Sequence, residues 1–144
     1  MNMLGSMVDY GVIGLLVVLS IVAVAVSIER FRFYSRTDVN TYQTIQELES
    51  ALTGRLHIVG TIGSNAPYIG LLGTVMGIMH TFYAMGSGGT TNVNDIMAGL
   101  ALALKATAAG LLVAIPSIVL YNLLHRRVNV LMLQKEAINE RQKL

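Results

Sequence analysis

The chain alternates long apolar runs with short polar stretches, and the runs reach the length of membrane spans. Gly11 to Ile28 carries no charge and is bounded by Asp9 and Glu29. At about 1.5 Å of rise per residue this run is about 27 Å long as a helix, close to the ~30 Å hydrocarbon core of a bilayer. No basic residue precedes it, and Ile28-Glu29-Arg30-Phe31 offers no small-residue cleavage site, so it reads as a retained span rather than a signal peptide. A second run covers about Tyr68 to Met85. A third covers about Ile96 to Asn122 and is broken only by Lys105. Leu56 to Asn94 contains no Asp, Glu, Lys or Arg, and within it Gly60, Gly63, Pro67, Gly70, Thr74, Gly77, Thr81 and Ala84 recur at helical spacing. The third run has its own stripe: Gly99, Ala103, Thr107, Gly110, Ala114, Ser117 and Tyr121. Lipid already solvates large apolar side chains, so membrane helices pack through small ones. The short Gly86–Asp95 connection makes the second and third spans an antiparallel hairpin, which brings Thr74 and Thr107 to a similar depth.

The polar stretches are also helical in pattern. Tyr42, Ile45, Leu48 and Leu52 form one apolar face, closed by Gly54 as a C-cap. Leu124, Val128, Leu131 and Ile138 continue the third span as an amphipathic helix. The two faces bury each other or, alternatively, one lies on the membrane surface. Pro116 kinks the third span and frees the carbonyl of Leu112. Pro67 either kinks a long second helix or starts it, with Ser64 or Asn65 as cap. The expected fold is all-α. It is a single polytopic domain over residues 1–144, with three transmembrane helices (about 11–28, 68–85 and 96–122) extended into the cytoplasm as helical arms by segments 29–66 and 123–144.

Composition agrees. Of 144 residues, 53% are hydrophobic and 12% charged, with a mean hydropathy of +0.61; soluble domains are about 25% charged. Without cysteine there is no disulfide, thiolate metal site or thiol nucleophile. Arg30, Arg32, Arg36 and Arg55 lie between the first two spans, and Arg126, Arg127, Lys135, Arg141 and Lys143 follow the third. The positive-inside rule puts both basic segments in the cytoplasm, the N-terminus outside, and Gly86-Ser87-Gly88-Gly89 in an external turn.

The titratable groups at membrane depth restrict the chemistry. Only Asp95, at the outer edge, is acidic between Glu29 and the inner ends of the spans, apart from the polar segment around Asp38, Glu47 and Glu49. Threonine hydroxyls orient water but do not titrate usefully, and a proton path through hydrocarbon needs an ionisable relay. Matched depth on small-residue faces makes Thr74 and Thr107 candidates for a polar lining, with Gly70, Gly77, Ala103, Gly110 and Ala114 on the same stripes; a proton path along it would need a carboxylate that this chain does not bring. The alternative for each threonine is a hydroxyl bonded to the carbonyl one turn back. Lys105 costs about 2.5–3.5 kcal/mol at the bilayer centre unless paired or snorkelling. It lies about 200° round the helix from Thr107, which makes it a subunit-interface or partner contact, or else a snorkelling side chain. His80 reads as a satisfied polar residue near a helix end. A hydrolase built from Ser87, His80 and Asp95 is disfavoured because they surround a glycine-rich turn rather than a preorganised site. No catalytic residue, metal, cofactor or nucleic-acid contact is expected; the bilayer itself is.

Two motifs carry a family resemblance. Ala66-Pro67-Tyr68-Ile69-Gly70-Leu71-Leu72-Gly73-Thr74-Val75-Met76-Gly77-Ile78-Met79 and Ala106-Thr107-Ala108-Ala109-Gly110-Leu111-Leu112-Val113-Ala114-Ile115-Pro116 resemble the conserved spans of the MotA/TolQ/ExbB proton-channel family. Three spans rather than four resemble its ExbB and TolQ branches, and the short cytoplasmic region resembles small ExbB forms. The resemblance implies a homopentamer in the bacterial inner membrane around an ExbD-like single-span partner whose aspartate is the missing carboxylate. Its output would drive a TonB-like protein for siderophore and vitamin uptake, with Thr74 and Thr107 as the pore threonines. A TolQ-like role in the Tol-Pal envelope system, or a non-conducting scaffold for partner helices, are the alternatives. Larger relatives carry glutamate in a Gly-Ile-Ala-Glu-Ala-Leu run; here the run is Gly99-Leu100-Ala101-Leu102-Ala103-Leu104, so Leu102 takes that place, with Lys105 one turn later.

Overall fold

A computed structural model describes residues 3–87 and 92–143. Four α-helices follow in order: α1 Met3–Arg36, α2 Ile45–Thr53, α3 Leu56–Gly86 and α4 Val93–Gln142, with a 3₁₀ turn at Val39–Thr41 before α2. There are no strands among the described residues. Helices α1, α3 and α4 are each long and apolar enough to cross a membrane, so the molecule is an all-α, multi-pass membrane protein. The expected turn at Gly88-Gly89 lies outside the described residues.

Every spanning helix outruns its apolar segment, and α3 and α4 do so mainly at the end that carries the basic residues. Helix α3 begins at Leu56 and passes through Pro67, which settles the two readings of that proline in favour of a long helix. Ser64 and Asn65 are interior residues, not caps: the Ser64 hydroxyl and the Asn65 amide donate to the Thr61 carbonyl at 3.1 and 2.8 Å. Pro116 likewise sits inside an unbroken α4. Helix α2 ends at Gly54, as expected. Gly54 occupies the C-cap but with φ −52° and ψ 131°. The left-handed residue is Arg55, at φ 62°. Its guanidinium bonds both Glu29 oxygens at 3.1 and 3.0 Å, and this tie to α1 accompanies a backbone conformation that glycine adopts at less cost.

Helices α3 and α4 pack antiparallel along their small residues, and α1 lies against both. Leu16 and Val12 of α1 cover Ala66, Ile69, Ala109, Val113 and Ala114. At the end of the bundle carrying the basic segments, Leu48, Leu52 and Leu56 join Tyr34, Val39, Leu124 and Val128 in a buried cluster, with Tyr42, Leu131 and Ile138 packed on it. The two amphipathic faces therefore do bury each other. Thr44 caps α2 by accepting from the Glu47 N–H at 3.1 Å. The other end of α2 is capped by α1: Arg30 Nη1 donates to the Ala51 carbonyl at 3.3 Å and the Tyr34 hydroxyl to the Leu52 carbonyl at 2.6 Å. These are carbonyls that a helix C-terminus otherwise leaves without partners.

Candidate functional site

The hairpin of α3 and α4 brings its two helix backbones into contact. A Cβ on Gly70 would stand 2.7 Å from the Ala106 carbonyl oxygen, and one on Gly110 would stand 2.6 Å from that of Ala66. Only hydrogen at both positions permits this crossing. One turn beyond Gly70 on α3 and one turn before Gly110 on α4, the register sets Thr74 opposite Thr107, with the two hydroxyl oxygens 2.5 Å apart.

The threonines also exchange acceptors. Thr74 Oγ1 lies 3.3 Å from its own Gly70 carbonyl but 3.0 Å from the Ala103 carbonyl of α4. Thr107 Oγ1 lies 3.3 Å from the Gly70 carbonyl of α3. Gly70 and Ala103 each stand four residues before a threonine, so each carbonyl is the usual back-bonding site for one hydroxyl and is reached by the other. Small side chains there leave the carbonyl open to the neighbouring helix. Each hydroxyl holds one proton and can accept through its lone pairs. The cluster thus offers more acceptor contacts than it has protons, and its hydroxyls can reorient without breaking the packing. Thr74 is buried at 8% exposure, while Thr107 is half-buried and forms the outward-facing member.

The other residues expected on a lining are placed differently. Gly70, Ala103, Gly110 and Ala114 are buried within the chain; they form the seam between α3 and α4 rather than an open surface, because the stripe of smallest residues is where two backbones approach most closely. Gly77 is half-buried, and the neighbouring Thr81 hydroxyl bonds its carbonyl at 2.9 Å. Gly63, Ala66, Gly73 and Ala106 complete the seam; their mutual small size was the signal for it. Lys105 is exposed on the opposite side of α4 with no ion pair among the described residues, and Leu102 beside it is 38% exposed. His80 is half-buried. Ser87 donates to the Ala84 carbonyl at 3.1 Å and makes no bond to His80 or Asp95 among the described residues. Nor do the described residues hold a metal-binding cluster of His, Cys, Asp or Glu. The site is a hydroxyl–carbonyl cluster at mid-span, without an acid of its own.

Residues 34–137 match the family model described as the MotA/TolQ/ExbB proton channel family. The chain belongs to this family. It is 52% identical to the biopolymer transport protein ExbB of Aquifex aeolicus, over 96% of this chain and 94% of that one. It is 51% identical to the protein of the same name in Helicobacter pylori strain J99, over 91% and 90%. It is 45% identical to the Tol-Pal system protein TolQ of Haemophilus influenzae, over 60% of this chain and 37% of the TolQ chain. The MotA/TolQ/ExbB family is one of proton channels rather than enzymes, and three spanning helices agree with the ExbB-like reading.

Proposed function

We propose that this chain is the channel-forming subunit of an ExbB-like motor driven by the proton-motive force. An ExbD-like single-span helix would supply the membrane carboxylate, and a TonB-like protein would carry the output to uptake across the outer membrane. The observation that carries the reading is the Thr74–Thr107 cluster: two hydroxyls at one depth, in spans that bring no carboxylate to it. Thr107 is its accessible side, and a partner's acid placed there would complete a path the hydroxyls alone cannot run. The near full-length match to the ExbB proteins of Aquifex aeolicus and Helicobacter pylori supports the ExbB-like branch. The basic segments support an inner-membrane orientation with the N-terminus periplasmic and the C-terminus cytoplasmic. A homopentamer with the threonines of each copy facing a shared centre is the assembly this reading requires.

Thr74→Val and Thr107→Val keep shape and delete one hydroxyl each. With partner proteins present, each variant should assemble normally and lose energised uptake by roughly tenfold, the effect of ~1.4 kcal/mol on a rate. Full uptake in the double variant, measured with assembly intact, removes the cluster from the path.

A further inference from the structure

Where α1 leaves its apolar run, its exposed side forms a cleft of about 160 Å³ against α4. Phe31, Ser35, Arg127, Val130, Leu131 and Gln134 line it. Tyr34, the remaining wall residue, has its hydroxyl committed to the Leu52 carbonyl. We propose that this cleft binds an anionic phospholipid, with the lipid phosphate on Arg127 and an acyl chain along the outer face of α1.

Depth is the first argument. Phe31 follows the end of the first apolar run by about 5 Å and Arg127 follows the end of the third by about 8 Å. The headgroup layer is about 5–8 Å thick on each side of the hydrocarbon. The mouth of the cleft therefore stands at headgroup level, and Gln134 lies further into water.

Charge is the second. Arg127 is exposed, and both ion pairs among the described residues use Glu29, with Arg30 and with Arg55. Arg127 thus faces the cleft with an unneutralised guanidinium, and its forked donors match a phosphate. Arg126 stands exposed beside it in sequence, and Arg32 and Arg36 of α1 are also exposed. Gln134 closes the water-side end of the cleft and makes no side-chain bond among the described residues. The Ser35 hydroxyl donates to the Arg32 carbonyl at 3.1 Å, which leaves its oxygen free to accept from a headgroup hydroxyl.

The third argument selects a lipid over a soluble anion. Val24, Ile28 and Phe31 fall on one face of α1 by spacing and are 45%, 54% and 37% exposed. They make a continuous apolar track from the span into the cleft, where Val130, 43% exposed, extends it. A free phosphate has no use for that track, whereas an acyl chain anchored at Arg127 does.

The test is native mass spectrometry of the full chain in neutral detergent, with phosphatidylglycerol and phosphatidylcholine of identical acyl chains. The unmodified chain should retain phosphatidylglycerol about fivefold better, the weight of one arginine near the headgroups. Arg127→Gln should erase the preference, and Arg126→Gln, outside the cleft, should keep it. Gln134→Glu places a carboxylate in the cleft and should also erase it. This variant decides the matter if Arg127→Gln loses helicity by circular dichroism. Equal retention of the two lipids by the unmodified chain, equal losses in the Arg126 and Arg127 variants, or displacement of the lipid by millimolar glycerol phosphate would each overturn the proposal.

Discussion

Thr74 and Thr107 show how much a single hydroxyl depends on what stands four residues before it. Each threonine has a small residue at that position, Gly70 or Ala103, and each of those carbonyls is within reach of the threonine across the seam. The sequence made the matched depth of the hydroxyls readable, because both sit mid-run in an antiparallel hairpin. It could not show the exchange of acceptors. Helical spacing identifies a face but not which neighbour covers it, and for the same reason Gly70, Ala103, Gly110 and Ala114 moved from an expected lining into the seam. Gly70→Ala should test that placement. Its methyl would meet backbone, which cannot rotate away, so the hairpin should lose about 1–3 kcal/mol in reversible unfolding from mixed micelles, whereas Gly14→Ala, with nothing within 4 Å, should be neutral. Lys105 makes the opposite case, an exposed charge in an apolar run. As a contact to a neighbouring copy or partner helix, its replacement in Lys105→Met should impair recovery of the complex by affinity purification; normal assembly with normal uptake would leave the lysine as a snorkelling side chain.

Among the elements, the three spans and the pairing of two amphipathic faces were legible because each rests on an apolar period that the bilayer or a partner face must bury. Leu48, Leu52, Leu124 and Val128 reach 0–3% exposure in one cluster. Leu52→Ala should therefore cost about 2–5 kcal/mol locally and appear as faster limited proteolysis near Arg55, with the spans unaffected. The end of α2 at Gly54 was legible, but the left-handed turn at Arg55 after it was not. Gly54 carries the sequence signal for a left-handed cap, yet Arg55 adopts that conformation, and its ties to Glu29 are contacts no local pattern contains. The same holds for Arg30 and Tyr34, whose roles arise from α1 passing beside the C-terminus of α2. Tyr34→Phe deletes the donor to the Leu52 carbonyl. The loss should be about 1 kcal/mol and should accelerate amide exchange at the end of α2 more than anywhere else.

At the scale of the whole molecule, the accessible surface is 9644 Å², against about 7,200 Å² for a compact soluble chain of this mass. Large apolar side chains such as Leu72, Met79, Leu112 and Ile115 stand 56–75% exposed along the spans. Such faces are ones that lipid covers in a bilayer. On the proposed function, the chemistry also needs a group from outside the chain. Liposomes holding this chain alone should show background proton flux, and flux should rise only when the carboxylate-bearing partner is reconstituted with it; equal flux in both preparations would place a complete path within this chain. Helix α4 adds a mechanical consequence. It runs without interruption for 50 residues, from Val93 to Gln142 and through Pro116, about 75 Å along its contour. From Thr107 to its far end is about 52 Å, so a tilt of about 5° pivoting at the threonines swings the tip by roughly 4–5 Å. A displacement too small to open the glycine seam would thus be geared up into one large enough to be felt at the other end of the lever.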